Sequence, residues 1–203
     1  MPTRNKRAWA KTTEQLIPGR IVPWCAMPAK TIAINRAPVL TLWAAVVAGR
    51  LGFDEDEALT LGRALAGLNA QSKGRRLGIF KPHEKKPAQA RKRPRGEQIL
   101  VELLGRPVPA TTTAEGVRAV SRSQPIDPGG VRSYLEDKFG DDLAAVRAAM
   151  KRLAGAYKPE ELADHAYALY EQFRPDIPAG KKGWGAKGTL DVGRIGELAK
   201  KKP

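Results

Sequence analysis

Residues Asn35 to Phe80 read NRAPVLTLWAAVVAGRLGFDEDEALTLGRALAGLNAQSKGRRLGIF, and this stretch predicts two amphipathic helices joined by a short turn. Asn35 is a candidate N-cap, and Pro38 suits a first helical turn because it has no N–H to leave unpaired. Gly52 is placed to end the first helix, since glycine readily adopts the left-handed conformation of a helix end. The apolar face of the first helix follows three- and four-residue spacing and contains Val39, Leu42, Trp43, Val46 and Val47.

The second helix is predicted to begin after Phe53, in the acidic run at residues 54–57. Carboxylates in a first turn complement the positive end of the helix dipole, so this run is typical of a helix start. The apolar face then continues to near Asn69. Its members are Ala58, Leu61, Leu65 and Leu68.

The junction of these helices resembles a helix-turn-helix motif over about 20 residues. Ala48, Gly52 and Ala58 fall where that motif needs small residues or glycine, but any short αα-corner needs them too. A structural corner and a DNA-reading motif therefore both remain open. A recognition helix presents its N-terminal residues to the groove, and here that end carries four carboxylates, which phosphates repel. We expect this helix to be a scaffold if the protein binds nucleic acid.

The 203-residue chain has 36 Lys and Arg against 21 Asp and Glu, a formal net charge of +15. Three segments carry the excess: residues 1–20 at +4, residues 73–95 at +9 and residues 181–202 at +5. The rest of the chain is at −3. The pattern indicates a nearly neutral body with basic arms, and such arms attract polyanions.

Several classes of protein are disfavoured. No apolar run approaches the length of a membrane span, and no secretory signal precedes the body, so we expect a cytoplasmic protein that makes no membrane contact. It would be nucleoid-associated if its ligand is DNA. Cys25 has no neighbouring base that would activate it as a nucleophile. His165 has no second nitrogen ligand for a metal one turn away, so we predict a partly buried structural histidine. The sequence thus predicts a non-enzymatic protein without a cofactor or a metal.

The expected fold is mainly α with a minor β component (α+β). Gln98 to Leu104 and Arg106 to Thr113 predict two strands that bend at Gly105, a hairpin that resembles the wing of a winged-helix protein. Thr31 to Ile34 is an edge strand or a loop packed on the core. Beyond Asp127 the pattern predicts three helices that form a small bundle, and a last short helix from about Asp191.

These elements give six predicted segments. They are a basic N-terminal arm (1–20), a helix-turn-helix-like corner (21–80), a basic flexible linker (81–97), a short β-hairpin and connection (98–126), a three-helix bundle (127–178) and a basic C-terminal tail (179–203).

The basic segments predict binding to DNA or RNA backbone with low sequence specificity, because clustered cations neutralise phosphates and release counterions. Trp184 either stacks on an unpaired base or packs into the helices. Two alternatives remain open: a solvated linker, and a protein-interaction module whose basic segments serve solubility or contact an acidic partner. The oligomeric state is open as well. The candidate nucleic-acid-binding residues are Lys73, Arg75, Arg76, Lys85, Lys86, Arg91, Lys92, Arg93, Arg95, Lys181, Lys182, Trp184 and Lys187.

Overall fold

The structure is a computed structural model that describes residues 30–76, 98–180 and 186–201. The predicted fold class, mainly α with a minor β component, is confirmed. The predicted N-terminal arm and basic linker lie outside these residues, as does Cys25. The elements are β1 (Thr31–Ile34), α1 (Arg36–Arg50), α2 (Glu55–Arg76), β2 (Gln98–Leu103), β3 (Arg106–Thr113), β4 (Gly116–Ser121), β5 (Gln124–Pro125), α3 (Pro128–Phe139), a 3₁₀ turn (Gly140–Asp142), α4 (Leu143–Gly155), α5 (Pro159–Phe173), β6 (Gly188–Asp191) and α6 (Val192–Lys200).

Helices α1 and α2 pack side by side. A Cβ atom at Gly62 would lie 2.9 Å from the backbone nitrogen of Ala45, and the carbonyl oxygen of Thr41 is nearer still. Gly62 lies two turns into α2 and Thr41 lies in the first half of α1, so the helices touch far from their connecting turn. Such contact is typical of an antiparallel αα-hairpin. The helix-turn-helix-like interpretation is not confirmed, and α2 continues to Arg76 instead of ending near Asn69.

Helix α1 is buried on almost every side, which corrects the expectation of a single apolar stripe. All eight residues from Pro38 to Ala45 are buried, and these cover more than two full turns. Helices α2, α4 and α5 all pack against α1, and α3 touches it. Trp43 is completely buried and donates its Nε1–H to the carbonyl of Ala166 at 2.8 Å. Its ring meets that of Phe173 edge to face, with centroids 5.3 Å apart.

The predicted hairpin is confirmed as β2 and β3, which are antiparallel and joined by Leu104 and Gly105. The segment predicted as a connection contains β4 and β5 as well, and the strands lie in the order β2-β3-β4-β5. Strand β4 follows a tight turn that ends at Gly116, whose φ of 105° lies in the region that favours glycine. One face of this sheet packs against α2.

A second sheet joins the two ends of the described chain. Strands β1 and β6 are antiparallel, with Thr31 opposite Asp191 and Ile34 opposite Gly188. The last short helix is present as α6, and Ile195 on it is fully buried. Within the segment predicted as a basic tail (179–203), residues 188–200 form this strand and helix, and they complete the core.

The three predicted helices after Asp127 are present as α3, α4 and α5. Helix α3 packs mainly on α2, α4 packs on α1 and α6, and α5 packs on α1. Their buried side chains belong to the same hydrophobic cluster as those of α1 and α2. The three helices of the predicted bundle therefore share one core with α1 and α2.

Replacing Gly62 by Ala tests the close contact between α1 and α2. The added methyl group would collide with backbone atoms of α1, and we expect the free energy of unfolding to fall by about 1–3 kcal/mol. Gly67→Ala is the matched control, because a Cβ atom there meets no atom within 4 Å. Removing that exposed helical glycine should stabilise the protein by about 0.5–1 kcal/mol. Urea unfolding followed by circular dichroism measures both, and equal stability of the two variants would contradict the packing.

Burial of the Tyr170 phenol raises its pKa well above the ordinary value of 10.0, and the nearby Arg36 charge only partly opposes this. The folded state holds this proton more tightly than the unfolded state. The stability that Tyr170 contributes is therefore complete below about pH 10 and is lost as the pH rises towards the folded pKa. Between about pH 10 and 12, wild-type stability should fall more steeply than that of Tyr170→Phe. Urea unfolding across this pH range measures both slopes, and equal slopes for the two proteins would contradict this account of Tyr170.

Candidate nucleic-acid interface

The helical hairpin has two chemically different ends. We call the end with the connecting residues 51–54 the turn end, and the end where α1 begins and α2 finishes the open end. The acidic first turn of α2 lies at the turn end, and its carboxylates are paired within the molecule. Glu55 lies 3.3 Å from Arg147 on α4, and Asp56 lies 3.0 Å from Arg132 on α3.

Glu57 both caps α2 and attaches the sheet to it. One carboxylate oxygen accepts a hydrogen bond from the backbone N–H of Asp54 at 3.1 Å, and the Asp54 side chain accepts one in return from the N–H of Glu57 at 2.7 Å. The other oxygen of Glu57 accepts the N–H of Val117 on β4 at 2.6 Å. This carboxylate therefore satisfies donors from two elements.

Thr60 repeats the contact one turn further along α2. Its hydroxyl accepts the N–H of Ala119 on β4 at 3.1 Å and donates to the carbonyl of Glu57 at 2.9 Å. Thr60 and Glu57 are three residues apart and so lie on one face of the helix. Together they accept hydrogen bonds along the edge of β4 where a neighbouring strand would otherwise pair. The start of α2 therefore holds the sheet in place.

The open end contains several of the predicted binding residues. Lys73, Arg75 and Arg76 belong to the last turn of α2, which ends at Arg76. Arg106 on β3 donates to the Ser72 hydroxyl at 3.2 Å, which brings a basic residue of the sheet beside this turn. Sequence reasoning missed Arg106, because nothing local indicated that the β2–β3 turn lies beside the end of α2.

Lys187 also lies at the open end. It is exposed and precedes Gly188, which pairs with Ile34 just before α1. Glycine is needed at 188, since a Cβ atom there would lie 2.6 Å from the carbonyl oxygen of Asp176.

Two acids near the open end are already paired. Glu171 bonds Arg174 at 2.7 Å, and Asp176 lies 3.9 Å from Arg194. These pairings leave the exposed Lys187 as an available positive charge at this end.

The structure places four of the predicted nucleic-acid-binding residues, namely Lys73, Arg75, Arg76 and Lys187, and all four are at the open end. The described ranges contain 21 basic and 18 acidic residues, a net charge of +3, so +12 of the total lies elsewhere in the chain. The remaining predicted residues fall outside the described ranges. They are Lys85, Lys86, Arg91, Lys92, Arg93, Arg95, Lys181, Lys182 and Trp184.

Comparisons with protein-family models, with curated proteins and with solved structures found no match. Within residues 30–76, 98–180 and 186–201, no group of three or more metal-binding side chains converges, and no helix has the length and hydrophobicity of a membrane span. His165 is exposed on α5, with Nδ1 2.8 Å from the carbonyl oxygen of Glu161, which corrects the prediction of a partly buried histidine.

Replacing Glu57 by Ala should lower the free energy of unfolding by about 2–4 kcal/mol, because a helix cap and the partner of the Val117 N–H are lost together. Native-state hydrogen exchange provides the local measurement, and the amides of Val117 and Ala119 should lose protection before those of α5. Glu136→Ala is the control, since Glu136 is exposed on α3. Unchanged protection of Val117 in the Glu57 variant would show that this contact does not hold the sheet.

Proposed function

We propose that this chain is a non-enzymatic, nucleic-acid-associated protein that binds the backbone of DNA or RNA with low sequence specificity. The observation that carries the proposal is the distribution of charge. The described body is nearly neutral at +3, and +12 is concentrated in the other segments. A polyanion is the ligand that such an arrangement favours, because each phosphate that pairs with Lys or Arg releases a condensed counterion.

The two ends of the hairpin suggest how the body would be oriented. Carboxylates of α2 lie at the turn end, and the cations of its last turn lie at the open end. Because the carboxylates of the first turn are already paired with arginines, we expect the basic residues at the other end of α2 to give the stronger attraction for a polyanion. The basic residues of 77–97 continue directly from α2 there, and residues 181–185 lead directly to Ala186 and Lys187.

Low specificity follows from what the helices present. A helix that reads bases needs free side chains at its N-terminal end, whereas the first turn of α2 is acidic and binds β4, α3 and α4. Binding would then depend on phosphates, which carry no sequence information directly. We therefore expect affinity for single-stranded DNA, duplex DNA and RNA to differ less with base sequence than with salt.

Fluorescence anisotropy with labelled single-stranded DNA, duplex DNA and RNA over a salt series tests the proposal. If about six cations contact duplex phosphates, log affinity should fall against log salt with a slope of about −5. Replacing Arg91, Lys92, Arg93 and Arg95 together by Gln should flatten the slope by about 3 to 4. A wild-type slope flatter than about −1, or no binding at low salt, would refute the proposal.

A second fourfold variant separates position from total charge. Arg122, Lys151, Arg152 and Lys158 are exposed on the body, and replacing them by Gln removes the same four charges. This control should keep the wild-type slope within about one unit. An equal loss in both variants would show that net charge alone governs binding and that the basic segments have no special part.

A further inference from the structure

A surface groove lies between α1, the start of α2, and α4, towards the turn end and away from the cations of the open end. We call it the α1/α4 groove. It encloses about 350 Å³, near the lower end of the range for ligand pockets. The lining residues are Leu42, Ala45, Val46, Gly49, Arg50, Phe53, Glu55, Ala58, Leu59, Arg147, Lys151 and Ala154.

The floor of the groove is apolar. Leu42, Ala58 and Leu59 form part of it, and none of these side chains can donate or accept a hydrogen bond. A nucleobase placed there would leave the donors and acceptors of its edge unpaired, which is costly in an apolar site. Aliphatic side chains have no such groups, so the floor suits them better.

The rim is cationic on both walls. Arg147 and Lys151 are four residues apart on α4 and lie on one face of that helix. Arg50 stands at the end of α1 on the other wall, where its guanidinium donates to the carbonyl of Tyr157 at 3.4 Å. Glu55 is the single acidic lining residue and is paired with Arg147, so the rim keeps two positive charges in excess. Lys151 is exposed, and no acid within the described ranges pairs with it.

We propose that the α1/α4 groove binds an acidic amphipathic helix of a partner protein. Such a helix carries an apolar stripe with carboxylates on both sides, and this arrangement is complementary to an apolar floor between two cationic walls. The groove opens to solvent at Gly49, Arg50 and Lys151, which are all exposed. An open, shallow site suits a helix that inserts a few side chains better than a small molecule, which needs most of its surface covered.

Gly49 gives a way to close the groove without disturbing the fold. A Cβ atom at Gly49 meets no atom within 4 Å, so a larger side chain can project into the open space of the groove. Leucine also favours a helix more than glycine does, and the variant Gly49→Leu should fold. Gly67→Leu is the matched control, because Gly67 is exposed on α2, lies outside the groove and has the same free space.

The probe is a fluorescein-labelled synthetic helical peptide with Leu at positions i, i+3, i+4 and i+7 and Glu flanking this stripe. Its affinity for the full chain is measured by fluorescence anisotropy at physiological salt. Wild type and Gly67→Leu should bind it alike, whereas Gly49→Leu should weaken binding by about tenfold or more. Replacing Arg50 and Lys151 by Gln should weaken binding in the same direction, because it removes cations from both walls.

Two further peptides exclude a general attraction between acidic peptides and this basic chain. A peptide with Ser in place of every Leu keeps the charge and should bind at least about tenfold more weakly. A peptide with Lys in place of every Glu should not bind. Equal binding of the Leu and Ser peptides, or equal affinity of the Gly49 and Gly67 variants, would overturn the proposal. The proposal would also be overturned if the chain bound anionic lipid vesicles but not the peptide, and Gly49→Leu weakened the binding to vesicles.

This groove is independent of the proposed nucleic-acid function, and the same variants separate the two. Gly49→Leu should leave the salt dependence of DNA binding unchanged. The fourfold Gln variant at Arg91, Lys92, Arg93 and Arg95 should keep its preference for the Leu peptide over the Ser peptide. Loss of one activity therefore identifies which of the two proposals has failed.

Discussion

The contact of Gly62 with the backbone of α1 is the constraint on which the other elements depend. Because no side chain separates the helices there, α1 and α2 approach closely and remain side by side beyond their connecting turn. Helix α1 can then be covered by α2, α4 and α5 together, and Trp43 becomes the centre of the core. The indole N–H still needs an acceptor when it is buried, and the carbonyl of Ala166 supplies it from α5.

The acidic run at the turn end stabilises the packing of the sheet and of two other helices against α2. Glu57 and Thr60 accept two backbone N–H groups of β4 that would otherwise lack a partner at this edge. Glu55 and Asp56 meanwhile pair with arginines of α4 and α3. Three acidic residues of one run, together with Thr60, thus hold three different elements against α2. The negative charge of this run is therefore used within the fold.

Local patterns predicted the helices and the first two strands well, because capping residues, prolines and apolar spacing act within a few residues. Burial of α1 on all sides was not predictable in this way, since Phe173 and Ala166 cover it from more than 120 residues away in the sequence. Strand β4 was missed because the hydrogen bonds along its edge come from Glu57 and Thr60, which lie 60 and 59 residues earlier in the sequence than their partners. The segment around Leu190 and Ile195 was predicted as part of a tail because its lysines and glycines are typical of an exposed segment. Both residues belong to the core. Arg106 reached the candidate interface only through tertiary packing with Ser72.

The two proposed surfaces differ in the kind of selectivity that their chemistry allows. Phosphate contacts depend on charge and salt, so the basic segments would hold the protein on nucleic acid without choosing a sequence. The α1/α4 groove combines an apolar floor with cations on two walls, and a ligand must satisfy both at once. A nucleic acid satisfies only the walls and an uncharged apolar helix only the floor. Under the two proposals, selectivity comes from the partner helix that the α1/α4 groove recognises, while the basic segments hold the protein on nucleic acid without choosing a sequence.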